Sequence, residues 1–508
     1  MNQMRNGAPL TGTRSCIAHI LRRACVKVVA IAMYAALPLV ATAQDEVKWP
    51  DFPLLTIETV DGVMPTYTVV NPPAGCLGQS IISEHVPGRL VITLKGETLY
   101  DSGDFVKGES GMRIKMRGNT SAIAYPQHPY KLKLSKKADL LNIGKKYKDK
   151  DWVLLSMGVS NSAMTNKESN ILFLVGLAVC RTLDMPWTPR TRFVNLVLNG
   201  HYEGLYHLTE TVKRADERVN IGETGFLIEN DAYWWKPGEL YFKTDKQHPL
   251  MGYTFKYPDA DDITDEQLNV IKTYMGAAEA SIYSKENTSD YIDYDSFARW
   301  ILAHDILGTI DDAGSNMYVY KESLNETEPS ESKLKMSTLW DFDTIFMQDA
   351  NNWSIPHLHR AFYYQELFKN KEFVDKYKEL YAEYKDRIYS SVESAMQQLK
   401  EESGEAFEQS RQLHRQVYNK ACLNGLDQQI DDVLVNLKAR LDAMEGMMES
   451  LEVTETGVVA APADGARLTE RVDMYGRRII PSVSGRKLPS GVYIEKFSDG
   501  TVKKVCGV

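Results

Sequence analysis

Cysteine is scarce in this chain, since only six of the 508 residues are cysteine and only four of these lie beyond residue 44. Those four are Cys76, Cys180, Cys422 and Cys506. They are far apart and form no CxxC or Cys/His spacing, which argues against a zinc site. Either one disulfide or buried free thiols would account for them.

Long apolar runs are also lacking, apart from residues 28–41. Five basic residues precede this run, and it ends in the letters ATA, which is the pattern of a secretory signal peptide. A membrane anchor is the alternative, but the run is short and contains Pro38. We therefore expect a signal peptide at residues 1–44. The remaining chain would then have no transmembrane segment and would be periplasmic, at the cell surface or extracellular.

The chain has no excess of positive charge. Its formal net charge is −9, and removal of residues 1–44 takes away five basic side chains and no acidic ones, which gives −14. A protein this acidic is poorly suited to nonspecific nucleic-acid binding. We therefore expect no nucleic-acid partner.

The remaining sequence predicts an α+β fold, because alternating apolar runs dominate its first half and helical periodicity its second. Residues 45–110 are expected to be β-rich, and residues 111–451 to form a mixed main domain. Strands are predicted at 112–117, 130–134, 193–198, 202–208 and 226–229, and helices at 161–182, 264–284, 294–307, 368–399 and 428–451. A linker at 452–465 and a small β module at 466–508 would follow.

Two acidic clusters lie about thirty residues apart in the second half of the chain. Residues 309–316 read TIDDAGSN and precede an apolar strand, while residues 339–343 read LWDFD. If this segment is extended, Asp341 and Asp343 lie on the same face of it, since they are two residues apart. Carboxylates beside Trp and Phe are costly to bury unless a cation such as Mg²⁺ pairs with them. An ordinary polar turn and a solvent-exposed strand end are the alternatives.

A phosphate-binding site also needs positive charge. Lys131 and Lys133 lie on one face of a predicted strand, with Arg113, Lys115 and Arg117 on the neighbouring segment. The loop RGNTS that starts at Arg117 suits backbone contacts with anions. Glu210 and Glu229, which end two other strands, are candidate partners for one of these lysines. For each of these residues the alternative is a solvated surface position.

These blocks together resemble the CotH kinase family (spore coat protein H). The resemblance rests on seven blocks in family order: RGNTS at 117–121, PYKLKL at 129–134, WVLL at 152–155, LNGHYEGLYHLTE at 198–210, GFLIE at 225–229, D…NMYVY at 311–320 and WDFD at 340–343. They lie within residues 50–450.

The resemblance implies a divergent protein-kinase-like bilobal core with a β-rich N-lobe and a helical C-lobe. It implies phosphate transfer from ATP, with Mg²⁺, to Ser or Thr of a secreted or surface protein. Asp311 would be the catalytic aspartate, and Asn316 with either Asp341 or Asp343 would bind the metal. Lys131 or Lys133 would bind the nucleotide phosphates, with Arg117, Glu210 and Glu229 also at the nucleotide site.

One block departs from the family pattern. Where the family has Asp-x-Ser-x-x-Arg-Asn, residues 160–166 read SNSAMTN, so an Asp and an Arg are missing. The rival hypothesis is a non-catalytic surface or binding protein on the same scaffold. A metal-dependent hydrolase is a third option. The tail resembles C-terminal β modules of secreted Bacteroidetes proteins, for which sorting or attachment and a small adhesive domain are alternative roles.

Overall fold

Two large β-sheets, two smaller ones and a group of helices make up the described part of the structure, which is a computed structural model. It describes residues 51–156, 171–310, 316–324, 332–342, 344–346, 356, 358–418, 424–453, 468–473, 491–498 and 502–507. The first-half strands are β1 (Leu54–Thr59), β2 (Thr68–Val70), β3 (Ser80–Ile82), β4 (Val86–Leu94), β5 (Glu97–Asp101), β6 (Met112–Met116), β7 (Tyr130–Ala138), β8 (Asp149–Ser156), β9 (Thr191–Leu198) and β10 (His201–Glu210). The later strands are β11 (Phe226–Asp231), β12 (Tyr241–Phe242), β13 (Gly252–Tyr257), β14 (Met317–Lys321), β15 (Lys335–Met336), β16 (Leu468–Asp473), β17 (Gly491–Phe497) and β18 (Val502–Gly507).

The helices lie mainly in the second half of the chain. They are α1 (Thr120–Ala124), α2 (Leu172–Thr182), α3 (Asp265–Ser284), α4 (Thr288–Tyr291), α5 (Tyr294–Leu307), α6 (Tyr364–Leu367), α7 (Lys371–Val417) and α8 (Leu426–Ser450). Short 3-10 helices lie at Val60–Gly62, Lys145–Tyr147 and Leu358–Arg360. Among the described residues, no helix is both long enough and apolar enough to cross a membrane. The α+β prediction is confirmed.

The first sheet closes on itself. Its strand order is β1-β9-β10-β8-β7-β6-β4-β5, and β1 pairs with both β9 and β4. The alternation predicted for β6 and β7 is present, because Met112, Ile114, Leu132 and Leu134 are buried inside the sheet. The basic residues between them therefore point to the outer face.

The second sheet has the order β12-β13-β11-β14-β15. Its inner face and helices α2, α3, α5, α7 and α8 enclose the largest apolar core. The predicted hairpin between β9 and β10 is confirmed, since His201 pairs with Leu198 and the turn residues Asn199 and Gly200 both have positive φ.

Two helix predictions need comment. The helix predicted at 161–182 is present as α2, while residues 161–170 lie outside the described residues. The predicted end of the fourth helix at residue 399 is wrong, because α7 continues to Val417. Its last turns are rich in Glu and Gln, and pairs such as Gln398–Glu402, at 2.7 Å, support a helix that apolar periodicity does not reveal.

The described part of the tail contains three strands. Strand β17 pairs antiparallel with β16 and with β18, which makes a three-stranded sheet. The predicted linker falls almost entirely outside the described residues.

Candidate functional site

The outer face of the closed sheet meets one face of the second sheet. On β11, Phe226 and Ile228 point into the large core, so Leu227, Glu229 and Asp231 point the other way. Val153 of β8 and Leu227 pack in one apolar cluster that also contains Tyr318 and Trp340. The polar residues beside this cluster therefore lie where the two sheets meet, and we call this region the cleft.

Lysines and arginines form the closed-sheet wall of the cleft. Across β6 and β7, Lys115 pairs with Lys131 and Arg113 pairs with Lys133, so the four cations are neighbours on one face. Burial lowers the pKa of Lys131, and repulsion by Lys115 and Lys133 lowers it further. The nearby carboxylate of Asp151, opposite Lys133 on β8, acts in the other direction. A second anion near Lys131 would therefore be stabilised.

Arg117 lies where β6 leaves the sheet. Its N–H donates to Pro129 O at 3.0 Å, and Gly118 follows with φ 84°. The guanidinium carbon lies 5.9 Å from the centroid of the Trp340 ring. Burial lowers the pKa of Arg117, while Tyr318, Asp341 and Glu229 raise it by electrostatic attraction. The fold thus brings three predicted site residues together: Arg117, Glu229 and Asp341.

The opposite wall carries buried acids. Glu229 forms an ion pair of 2.8 Å with Lys256 on β13. Asp231 accepts hydrogen bonds from the Tyr233 N–H at 2.7 Å and the Thr254 hydroxyl at 3.3 Å. Burial raises the pKa of Asp231 to about 7, and Glu229 contributes to the rise. Sequence reasoning missed Asp231, Thr254 and Lys256, although the alternation that placed Glu229 on this face also applies to Asp231.

Asn316 lies immediately before β14. Because Met317 pairs with Asn230, the register places Asn316 next to Asp231 at the end of β11. Its φ of 57° is left-handed, a conformation that asparagine adopts more readily than most residues. Asp311 lies outside the described residues, so its role stays a prediction.

The position of Asp341 is fixed by the buried side chain of Phe342, and not by a β-strand. The φ of Asp341 is 75°, so the backbone is not extended at this position and the condition for a shared face of Asp341 and Asp343 is not met. Phe342 is buried beneath α2, with its ring centroid 5.4 Å from that of Phe173. A Cβ on Gly176 would lie 2.3 Å from the Phe342 ring, so only glycine fits there. With Phe342 anchored, Asp341 turns outward and is exposed, while Asp343 lies outside the described residues.

Glu210 is the predicted site residue that lies in a different environment. Its side chain is 1% exposed, and it accepts from Arg190 Nη2 at 2.7 Å and from Arg190 Nε at 2.9 Å. Arg218 lies 3.8 Å away. The proposed pairing of Glu210 with a lysine of β7 is therefore wrong, because arginines from neighbouring segments already satisfy the carboxylate.

The ion network around Glu210 continues towards the cleft. Arg218 lies 3.8 Å from Asp149, and Lys213 bridges Asp149 and Asp151 at 3.2 and 2.7 Å. We call these six residues the paired network: Asp149, Asp151, Arg190, Glu210, Lys213 and Arg218. The member of this network that lies nearest to the cleft is Asp151, which is next to Lys133 and Lys131. Sequence reasoning missed it because its partner Lys213 is 62 residues away.

The donor set determines which ligands the cleft suits. Within the described part of the chain, no group of three or more His, Cys, Asp and Glu side chains is arranged to hold a metal ion. The described oxygen donors at the cleft include the Asn316 amide and the exposed Asp341 carboxylate, besides the Glu229 and Asp231 carboxylates that already have partners. Hard oxygen donors of this kind suit Mg²⁺, which takes its remaining ligands from water and phosphate. The cations of β6 and β7 suit phosphate oxygens.

Comparison with known proteins agrees with this geometry. The family model described as CotH kinase protein matches residues 114–439, which is well over half of the chain and includes Arg117, Lys131, Glu229, Asn316 and Asp341. No curated protein matches the chain. The matched segment begins in β6 and ends in α8, so it spans both walls of the cleft. The chain therefore belongs to the CotH kinase protein family.

Proposed function

We propose that this kinase-like protein is an exported phosphotransferase that moves phosphate from ATP to Ser or Thr of a secreted or surface protein, with Mg²⁺. The observation that carries the proposal is the cleft itself. Cations from the closed sheet face acids and an amide from the second sheet. Phosphoryl transfer is catalysed chiefly by positioning and by charge stabilisation, for which such a site provides the groups.

The cations would bind the nucleotide. Lys131 lies at the centre of the basic wall, where burial and like charge both disfavour its own protonated form. A bound triphosphate would relieve that repulsion. Arg117 would contact a second phosphate group from the side of Trp340, and Lys133 would extend the wall. Glu229, which pairs with Tyr318 in the strand register, would orient Arg117.

The acids and the amide would act on the opposite side of the phosphates. Asn316 and either Asp341 or Asp343 would hold Mg²⁺, which neutralises charge on the transferring phosphate when bound. Asp311 would orient the acceptor hydroxyl and take its proton as the new O–P bond forms, while the bond from the γ-phosphorus to the bridging oxygen breaks and ADP leaves. The Phe342 anchor under α2 fixes the direction of Asp341, so a change in α2 would reach the metal ligands.

Export is proposed from the basic and apolar pattern of residues 1–44. The acceptor would then be a protein of the periplasm, the cell surface or the medium, and no nucleic acid would be a partner. The rival function is non-catalytic binding on the same scaffold. The altered segment at 160–166 favours it and lies outside the described residues.

Nucleotide binding is tested by thermal melting with Mg²⁺ and ATP, separately and together. Saturation at about one hundred times the dissociation constant should add about 2.7 kcal/mol to the free energy of unfolding. Lys131→Ala should abolish the shift. Lys136→Ala is the matched control, because Lys136 is an exposed lysine of the same strand. A wild-type protein that shows no shift would rule out nucleotide binding.

Transfer is tested with radiolabelled ATP and a serine-rich acceptor protein. The wild type should label the acceptor and Asp311→Ala should not. A wild type that binds ATP but labels no acceptor, under conditions where a known kinase does, would support the non-catalytic rival.

A further inference from the structure

The cations on the outer face of β6 and β7 extend beyond the nucleotide cleft. We define the basic stripe as Arg113, Lys115, Lys131 and Lys133, which form two cross-strand pairs. Arg113 lies four residues before Arg117, which is about 13 Å along an extended strand. The stripe therefore begins at the cleft and continues away from Trp340 and Asp341.

The stripe is poorly neutralised by the rest of the protein. Over the described parts of the chain, none of its four members forms an ion pair within 4.0 Å. The carboxylate nearest to it by strand pairing, Asp151, is already bound by Lys213 at 2.7 Å. Lys236, from the segment after β11, adds further repulsion, because its positive charge and that of Lys115 each disfavour the protonated form of the other. Like charges on neighbouring strands destabilise a sheet, so this arrangement has a folding cost.

His85 is a further titratable group beside the stripe. Val86 pairs with Ile114, which places His85 beside Lys115 at the edge of the stripe. Burial lowers the pKa of His85 to about 4, and Lys115, Arg113, Lys131 and Lys133 contribute. Its Nδ1 atom is buried and has no hydrogen-bond partner among the described residues. The histidine is therefore neutral near pH 7 and adds no charge of its own.

We propose that the basic stripe binds an acidic segment of the protein acceptor, next to the Ser or Thr that receives phosphate. The inference rests on the proposed function and names the class of acceptor. Arg113 and Lys115 have no role in the proposed nucleotide site, so they are available for carboxylates of the acceptor. The stripe is about 7 Å long along each strand, so about two or three extended residues of acceptor would cover it.

An acidic protein segment fits better than nucleic acid. The stripe is short, and the chain as a whole carries a formal net charge of −9. A long polyanion would meet that net negative charge beyond the stripe, whereas a short acidic segment would contact the stripe alone. The acceptor is therefore selected by a local field that has the opposite sign to that of the whole protein.

The test is peptide binding to the purified full chain, measured by fluorescence anisotropy. One labelled peptide has a central serine flanked by Asp and Glu, and the other has Asn and Gln in their place. The acidic peptide should bind at least about tenfold more tightly, a difference of about 1.4 kcal/mol in binding free energy. Its affinity should fall as the salt concentration increases. Arg113→Glu should remove most of this preference, and the matched Lys136→Glu should leave it within about twofold.

The outcomes separate the two proposals. Equal binding of both peptides, or equal loss in Arg113→Glu and Lys136→Glu, would overturn the stripe proposal even if ATP still raises the melting temperature. An oligonucleotide of equal charge that binds more tightly than the acidic peptide would also overturn it. Selective binding of the acidic peptide without any ATP-dependent melting shift would support the stripe and count against phosphate transfer.

Discussion

Two groups of charged side chains on the first sheet and its adjoining segments are built in opposite ways. In the paired network, each carboxylate lies close to a Lys or Arg, and Glu210 is held by two bonds from Arg190. In the basic stripe, cations lie next to cations, and Asp151 is the carboxylate next to them in strand register. A satisfied network stabilises structure, whereas an unbalanced field has a folding cost that a ligand can relieve.

Asp151 connects the two groups. It pairs with Lys213 on one side and attracts Lys131 and Lys133 on the other. Charge in the network therefore influences the cleft without contact between Glu210 and any ligand. The comparison predicts that changes in the network act on stability first, and that changes in the stripe act on binding first.

The largest effect on stability is expected for Glu210→Ala. Removal of this carboxylate leaves the Arg190 and Arg218 guanidinium groups without their shared acid, and the free energy of unfolding should fall by about 3–5 kcal/mol. Urea unfolding followed by circular dichroism measures it. Glu210→Gln, which retains a hydrogen-bond acceptor, should show a smaller fall in the free energy of unfolding. Unchanged stability together with lost ATP affinity would instead place Glu210 at the nucleotide.

Lys131→Ala should show the opposite profile. The free energy of unfolding should stay the same or rise, because repulsion among the stripe cations falls. Transfer of phosphate, measured as kcat/KM, should fall about 10²–10³-fold, since a positioned cation at the phosphates is lost. Lys136→Ala should change neither quantity. A large loss of stability in Lys131→Ala with ATP affinity intact would make Lys131 a structural residue.

A pH-dependent effect is expected for Asp231→Asn. The pKa of Asp231 is raised from 3.8 to about 7, chiefly by burial, so the folded protein retains a proton that the unfolded chain has lost. This carboxyl therefore lowers stability progressively as the pH rises from about 4 to 7. Asp231→Asn should gain up to about 4 kcal/mol over the wild type at pH 8 relative to pH 4, because each unit of pKa shift corresponds to about 1.4 kcal/mol. Melting curves at both pH values measure the difference, and a difference that does not change with pH would contradict the assignment.

The smallest effect is expected for an exposed ion pair on the same sheet. Arg89 and Asp101 are paired at 2.5 Å, but their side chains are 41% and 35% exposed. Asp101→Ala should therefore cost no more than about 1 kcal/mol, and less in high salt. A loss as large as that of Glu210→Ala would show that burial does not distinguish the two pairs.

Local pattern was enough to place several residues of the site. Alternation identified the outward-facing lysines of β6 and β7, and it also placed Glu229 on the cleft side of β11. It does not apply at Asp341, because packing of Phe342 under α2 overrides the extended conformation that the alternating letters suggest. Long-range partners were not predictable either, since Lys256 is 27 residues beyond Glu229 and meets it only across paired strands.

The sequence by itself determined the elements and the order of the charged blocks, because side-chain period and turn chemistry act over a few residues. The sequence also indicated the family of the chain, because seven short motifs occur in the family's order. Only the tertiary structure decided which charges are balanced. Glu210 acquired arginine partners, Asp231 acquired a buried position beside Glu229, and the lysines of the stripe acquired one another. Electrostatic energy depends on distance and burial in space, and neither follows from position along the chain.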